Sequence, residues 1–306
     1  MLIISITQLL IVIFVVQGFS VSYNQPKLCS TAKWNTNGFT FADNFSMNSA
    51  PYDIFINTNN TIYFATKQNK SQILIWYNAT SNISLPISNT TSKTIYGLFS
   101  TDNHNLYASV NGESIYKYIW TSGINYTVTR VNSMSGCYNI FVDINGSIYC
   151  SMTGRHQVVK YKLNATEVVA GTGCHGFVNN MLYIPQGIFV HTNFSLYVAD
   201  CGNNRIQFFP YNQSNGITLI GNSVHNSLTL YWPSGIILDA DENLYIVDKY
   251  QNRIIRSSSN GIEILIDREL SQPQSIAFDN TGNIYVTNGG SNTIQKFMFI
   301  KETCGK

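Results

Sequence analysis

Charge is the scarcest commodity of this 306-residue chain, with Asp, Glu, Lys and Arg at 11% against about 25% in an average soluble domain. Eighteen basic and sixteen acidic side chains leave a formal net charge of +2. That excludes a strong overall field of the kind that draws a chain onto nucleic acid or an acidic membrane. No Cys-x-x-Cys pair occurs, so zinc ribbons and dithiol redox motifs lose their signature. Neither Gly-x-Ser-x-Gly nor His-Glu-x-x-His is present, which removes the hydrolase elbow and the zincin helix. Past residue 16 no apolar run approaches the roughly 20 residues that span a bilayer, and no convincing amphipathic helix is found.

The first segment is read as a secretory signal over residues 1–22. Leu2 to Val16 is apolar apart from Ser5, Thr7 and Gln8, and it passes into Gly18, Ser20 and Ser22, small residues suited to cleavage. No Lys or Arg precedes Lys27, so an uncleaved anchor is the competing reading. Asn-x-Ser/Thr occurs at Asn44, Asn59, Asn69, Asn78, Asn82, Asn89, Asn125, Asn145, Asn164, Asn193 and Asn212. In a eukaryotic secretory pathway these would carry glycans. Six cysteines lie beyond the leader, an even number that suits disulfides in an oxidising compartment. The expected location is extracellular, with no membrane span left after signal removal.

An internal repeat organises residues 23–306. A Tyr preceded by Ile or Leu recurs at Tyr63, Tyr107, Tyr149, Tyr197, Tyr245 and Tyr285, at intervals of 44, 42, 48, 48 and 40 residues. Units fall near 51–80, 94–120, 137–164, 185–212, 233–260 and 273–300. Each has an apolar run, a turn rich in Asp, Asn and Gly, a second run ending in Tyr plus small residues, a polar loop and a third run. β-Branched and aromatic residues fill the runs. Asp143-Ile-Asn-Gly146 and Asp279-Asn-Thr-Gly282 join two of them as tight hairpins. The period and the grammar predict an all-β protein, a six-bladed propeller of four-stranded antiparallel blades.

The ends predict how the ring closes. The last unit stops one strand short, while residues 30–41 precede the first unit without belonging to it. That segment is expected to complete the last blade, with Cys29 bridged to Cys304 as a staple. Blade geometry places Cys137 and Cys150 on one face, and Cys174 and Cys201 on that same face. The expected further pairs are therefore Cys137 with Cys150 and Cys174 with Cys201.

Pro185-Gln-Gly-Ile-Phe-Val190, Leu196-Tyr-Val-Ala-Asp200 and Asn203-Asn-Arg-Ile-Gln207, a near copy at 233–254 and a partial copy at 273–295 resemble NHL repeats. The resemblance extends over about residues 50–300 and is strongest in the last three units. It implies a six-bladed propeller used mostly as a binding platform, in a family that also includes enzymes and ubiquitin-ligase subunits, so the fold does not select the function.

Gly171-Thr-Gly-Cys-His-Gly176 matches a dinucleotide fingerprint but is not followed by a helix, so it reads as an inter-blade turn. Asp239-Ala-Asp-Glu-Asn243 imitates a calcium loop but has Tyr250 at the twelfth position, so it reads as a hairpin turn. Asp200 with Arg205 and Asp248 with Arg253 recur at one repeat position. A structural job is needed once per blade and a reaction once per protein, so these are expected to be bracing ion pairs.

The amidating lyase that the resemblance brings to mind places zinc-binding histidines at the mouths of innermost strands. Here those positions hold Tyr52, Asp53, Tyr96, Tyr138, Asn139, Gln186, Ser234 and Gln274. The histidines, His104, His156, His175, His191 and His225, are not expected to converge three at a time as zinc requires. Lactonase-like propellers need carboxylates around a central metal, and Asp53 is the one acidic residue at these mouths. The intracellular RNA-binding or substrate-recruiting NHL proteins use a basic face and an upstream RING, and neither occurs here. The expectation is a non-catalytic secreted scaffold without cofactor, presenting Tyr52, Tyr96, Tyr138, Gln186 and Gln274 to an extracellular protein or glycan, with a metal-dependent propeller enzyme, amidating-lyase-like or lactonase-like, as the first alternative and an NHL substrate-recruiting or RNA-binding module as the second.

Overall fold

The computed structural model describes residues 23–304 except 44–46, 48–49, 67–71, 78–82, 89–92, 102–104, 123–124, 133–134, 164 and 223–227. The expected signal, His104, His225 and the sequons at Asn44, Asn69, Asn78, Asn82, Asn89 and Asn164 lie outside the described residues. Six four-stranded antiparallel sheets follow one another round a hub. Blades 1 to 5 span residues 51–88, 95–132, 140–170, 185–221 and 233–266 in simple up-and-down order. Blade 6 takes three strands from residues 273–297 and its outer strand from Phe39–Ala42, paired as Phe39 with Lys296 and Ala42 with Ile294.

The repeated sequence grammar has a visible cause. In four blades the turn after the innermost strand begins with Asn57, Asp143, Asp239 or Asp279. The side-chain Oδ1 accepts the backbone N–H groups two and four residues on, which fixes the hairpin locally. The recurring Tyr stands six residues later on the second strand. Tyr245 donates to Asp239 at 3.0 Å and Tyr285 to Asp279 at 3.4 Å. A cation on the third strand covers several of these rings, with Lys296 Nζ 4.9 Å from the Tyr285 centroid and Lys160 Nζ 5.4 Å from that of Tyr149. The signature Tyr thus ties turn, second strand and third strand together. Asp239 is consumed by its own hairpin, and its calcium-loop likeness ends there.

Apolar side chains of facing blades merge into one core from blade 1 to blade 5, with two smaller clusters at the closure. Cys29 and Cys304 are joined with Cα atoms 5.4 Å apart, and beside them Lys33–Trp34 pairs with Phe299–Ile300. Trp34 fills the seam, donating from Nε1 to the Gly282 carbonyl at 2.7 Å and meeting Tyr245 edge-on. A bridge spanning 275 residues removes much of the freedom of the unfolded chain and contributes typically about 2–4 kcal/mol.

Cys137 and Cys150 are also joined. Cys174 and Cys201 are not, which corrects the third expected pair. Cys201 opens the helical turn Cys201–Asn203, is fully buried and donates its thiol to the Pro233 carbonyl of blade 5. Cys174 is exposed in the segment between blades 3 and 4. Sharing a face of the propeller does not bring the two sulfurs together, because one is turned into the next blade. Gly171 and Gly173 in that segment have φ of +81° and +86°, turn backbone rather than a phosphate cradle.

Candidate functional site

The innermost strands all begin at one end of the hub, and this sets three layers along it. At the mouth stand Tyr52, Tyr96 and Tyr138 from blades 1–3 and Gln186, Ser234 and Gln274 from blades 4–6. The three rings pack on one another. Tyr96 stacks on Tyr138 at 4.9 Å, Tyr52 lies 4.9 Å from Tyr96, and the Tyr52 and Tyr138 hydroxyls share a hydrogen bond of 2.8 Å. Burial raises the pKa of Tyr52 to about 12 and holds that of Tyr138 well above the usual phenol value, so both phenols are neutral near pH 7. Ser234 Oγ donates to the Gln274 carbonyl at 2.8 Å. Gln186 is 6% exposed, and its Oε1 has no donor among the described residues. The structure therefore brings together the five residues expected to form a face, and three of them double as packing between blades.

One layer down lies a polar belt that stitches neighbouring blades. Asp53 Oδ2 accepts the Leu98 N–H at 2.7 Å and Oδ1 accepts the Ser275 hydroxyl at 2.5 Å, linking blades 6, 1 and 2. Asn139 Oδ1 accepts the Ile188 N–H at 3.3 Å in the same way from blade 3 to blade 4. Burial pushes the Asp53 carboxyl up to about 6 despite these donors. In this layer the blades come so close that a Cβ at Gly97 would stand 2.8 Å from the Tyr138 carbonyl and one at Gly235 2.9 Å from that of Gln274. No group of three or more His, Cys, Asp or Glu that could hold a metal occurs among the described residues.

The third layer is closed. Phe55, Phe99, Phe141 and Phe189 occupy one position of the innermost strand in four successive blades, about 5 Å apart. Tyr23 enters from the opposite end and meets Phe99, Phe141 and Phe189 edge-on. Asn24 Nδ2 donates to the carbonyls of Asn57 and Phe278, and the Pro26 carbonyl accepts from Ala240 of blade 5. A cavity of about 80 Å³ remains beside this plug. The sequence reading missed it, because the short stretch from Tyr23 to Pro26 carries no periodicity. The signal was indirect: four Phe at a hub-facing position call for something apolar to fill the hub.

On the mouth side, the joints between blades carry the recurring pairs. Arg205 Nε meets Asp200 at 2.7 Å, and its guanidinium also donates to the carbonyls of Phe177, Val178 and Met181 in the joint before blade 4. Asp200 Oδ1 accepts the Tyr183 N–H at 2.6 Å. Arg253 meets Asp248 at 2.8 Å and donates to the Thr229 carbonyl, while Asp248 accepts the Tyr231 N–H. These pairs brace joints. Desolvation raises both carboxyl pKa values, against the lowering by their partners.

Two histidines do come together at the joint before blade 4: His156 and His175 lie 5.6 Å apart, each about 5.5 Å from Tyr183. His156 Nδ1 accepts the Ile184 N–H at 3.2 Å, which puts the ring proton on Nε2 and takes that nitrogen out of metal binding. An outer groove of about 360 Å³ between blades 3 and 4 holds Lys160 over Tyr149, Phe194 and Tyr211. The described sequon residues Asn59, Asn125, Asn145, Asn193 and Asn212 are all exposed.

Residues 270–297 match the family model described as NHL repeat. The match falls on the three strands that blade 6 takes from residues 273–297. No curated protein matches the chain. Among solved structures the propeller is similar to virginiamycin B lyase from Staphylococcus aureus, at 15% identity and a TM-score of 0.63, covering 88% of this chain and all of that one. It is also similar to an auxiliary nutrient binding protein from Bacteroides thetaiotaomicron, at 13% identity and a TM-score of 0.63, covering 91% of this chain and 76% of that one. A third is a putative oxidoreductase (glucose dehydrogenase) from Thermus thermophilus, at 10% identity and a TM-score of 0.57, covering 86% and 99%. At these identities the likeness is one of fold. Two disulfides fit an extracellular protein; no helix among the described residues is long and apolar enough to cross a membrane.

Proposed function

We propose that this chain is a secreted, glycosylated, non-catalytic binding propeller whose mouth takes a neutral glycan. One observation carries the reading: Gln186 Oε1 is a buried acceptor without a donor among the described residues, set among the mouth residues. An unsatisfied buried acceptor costs about 1–3 kcal/mol. The gap at the mouth, about 20 Å³, accepts one water or one ligand hydroxyl. Aromatic rings against the apolar face of a sugar and amide groups against its hydroxyls are the chemistry of saccharide recognition. Asp53 is the one acidic or basic side chain lining the mouth, and the absence of a cation there favours a neutral ligand over an acidic peptide or a phosphate.

The nutrient-binding neighbour is in keeping with such a role. The lyase neighbour raises the enzyme alternative, but the mouth positions here are Tyr, Gln and Ser. The one carboxylate beneath them, Asp53, already accepts two hydrogen bonds. Calorimetric titration of a panel of neutral oligosaccharides into wild type and Gln186→Leu tests the reading. At least one sugar should bind, and the variant should lose tenfold or more in affinity with an unchanged melting temperature. Equal affinity in the variant removes the mouth from the argument, and binding of peptides alone replaces the glycan by a protein. Stoichiometric zinc or calcium in purified protein favours the enzyme.

A further inference from the structure

The joints before blades 4, 5 and 6 share one construction. The second strand of the preceding blade ends in a single helical turn, Thr153–Arg155, Cys201–Asn203 or Lys249–Gln251, closed by a residue in the left-handed region. Those residues are His156, Asn204 and Asn252, with φ of 54°, 53° and 50°. Each reaches across the joint to accept one backbone N–H: Ile184 at 3.2 Å, Trp232 at 2.8 Å and Gln272 at 2.7 Å. All three recipients also have positive φ, 53°, 61° and 45°, and each directly precedes the proline that starts the next innermost strand. A non-glycine residue in that conformation before proline is strained, so an outside acceptor must hold it.

We propose that the joint between blades 3 and 4 is a proton-operated latch, with His156 standing where the next two joints carry asparagine. An asparagine oxygen accepts at any pH. The imidazole Nδ1 accepts only while it is unprotonated; once protonated it becomes a donor pointed at the Ile184 N–H, and the latch has two donors and no acceptor. Acid therefore releases this joint and leaves the joints held by Asn204 and Asn252 closed. The released residue, Ile184, is followed by Pro185 and then Gln186, so the strand start that loosens is the one that carries the orphaned acceptor into the mouth.

The groups facing His156 set where the latch works. His175 and Tyr183 face it from the joint, Asp200 from blade 4, and Arg155 precedes it on its own turn. Burial lowers its pKa below the usual imidazole value, His175 lowers it further and Asp200 acts the other way. Asp200 is largely spent on Arg205, Asn203 and the Tyr183 N–H. The latch is thus shut at neutral pH and opens on the acid side of 6.5.

Amide hydrogen exchange on the full chain at pH 7.5 and pH 5, corrected for intrinsic rates, reads the latch without any ligand. Protection of residues 171–186 should fall about fivefold at pH 5, the factor for about 1 kcal/mol of one hydrogen bond. The joints around Trp232 and Gln272 should stay unchanged as internal references. His156→Asn should abolish the pH effect, and His175→Asn should preserve it. Equal loss at all three joints, or an effect that survives His156→Asn, overturns the proposal. Should that variant fail to fold, Asn204→His serves instead: it should import the same sensitivity into the joint at Trp232, and an insensitive joint there is equally fatal.

Discussion

In blades 4, 5 and 6 the second strand ends in Asp200, Asp248 or Asn288, and each of these accepts a backbone N–H of the preceding joint. In blades 1, 2 and 3 the same strand ends in Thr66, Val110 or Met152. The mouth shows the complementary difference: blades 1–3 supply three packed tyrosines, and blades 4–6 supply Gln186, Ser234 and Gln274. The two halves solve one problem by different physics. Sheets meeting radially must be kept from sliding past each other, and one half does this at the rim with charged and amide latches. The other half does it at the hub with stacked rings, each such aromatic pair adding about 0.5–1.5 kcal/mol beyond its burial. A non-aromatic side chain at the mouth is tolerated where the joint is latched. His156 sits at the seam between the two halves.

The largest test of this contrast is Arg205→Ala. Arg205 is 1% exposed and serves one carboxylate and three carbonyls, so its loss strands a buried charge and should cost about 3–5 kcal/mol in chemical denaturation. Arg253 is more exposed, at 14%, with one carbonyl partner. Arg253→Ala should cost clearly less, and equal losses would mean that the latches are not graded by burial. Tyr23→Ala should cost about 2–4 kcal/mol, since it empties the aromatic floor of the hub. A null effect on the melting temperature would show that the plug is not part of the fold.

Asp53→Asn probes the belt through its pH dependence. A carboxyl raised from 3.8 to about 6 on folding binds its proton more tightly in the native state. Wild-type stability should therefore fall, on the order of 2 kcal/mol, as pH rises from about 4 to about 6. The asparagine variant should lack that slope, and parallel curves would remove Asp53 as its source. The His156 contribution has the opposite sign. Its folded pKa is lowered, so the stability it brings is complete above the unfolded value near 6.5 and is lost as pH falls through the folded one. The smallest expected effect is that of Gln186→Leu on stability, within about 0.5 kcal/mol of wild type or slightly above it, because an unpartnered acceptor is removed. A loss of several kcal/mol would show that Gln186 holds the mouth together.

The fold was legible because propeller blades repeat. The Tyr period, the Asp and Asn turns and the unpaired strand before residue 51 gave six sheets and the place where they close, since each of these is a local pattern copied many times. The site was legible only in part. Tyr52, Tyr96, Tyr138, Gln186 and Gln274 share a position in the repeat and so had to share an end of the hub. That the tyrosines stack and share a hydroxyl bond, and that Gln186 is left without a donor, depends on distances across blades that no single unit encodes.

By itself the sequence determined what is periodic: the blade count, the apolar runs, the turns, and the need for cysteines 29 and 304 to meet where the ring closes. Tertiary structure alone decided what happens once. Tyr23 fills the hub, Cys201 turns its thiol into blade 5 and away from Cys174, and His156 takes over a task that asparagine performs in the next two joints. The reason is physical. Repeated features are fixed by hydrogen bonds within a few residues, whereas these singular ones depend on the rotation of each blade against its neighbour, which becomes defined only when all six have closed the ring.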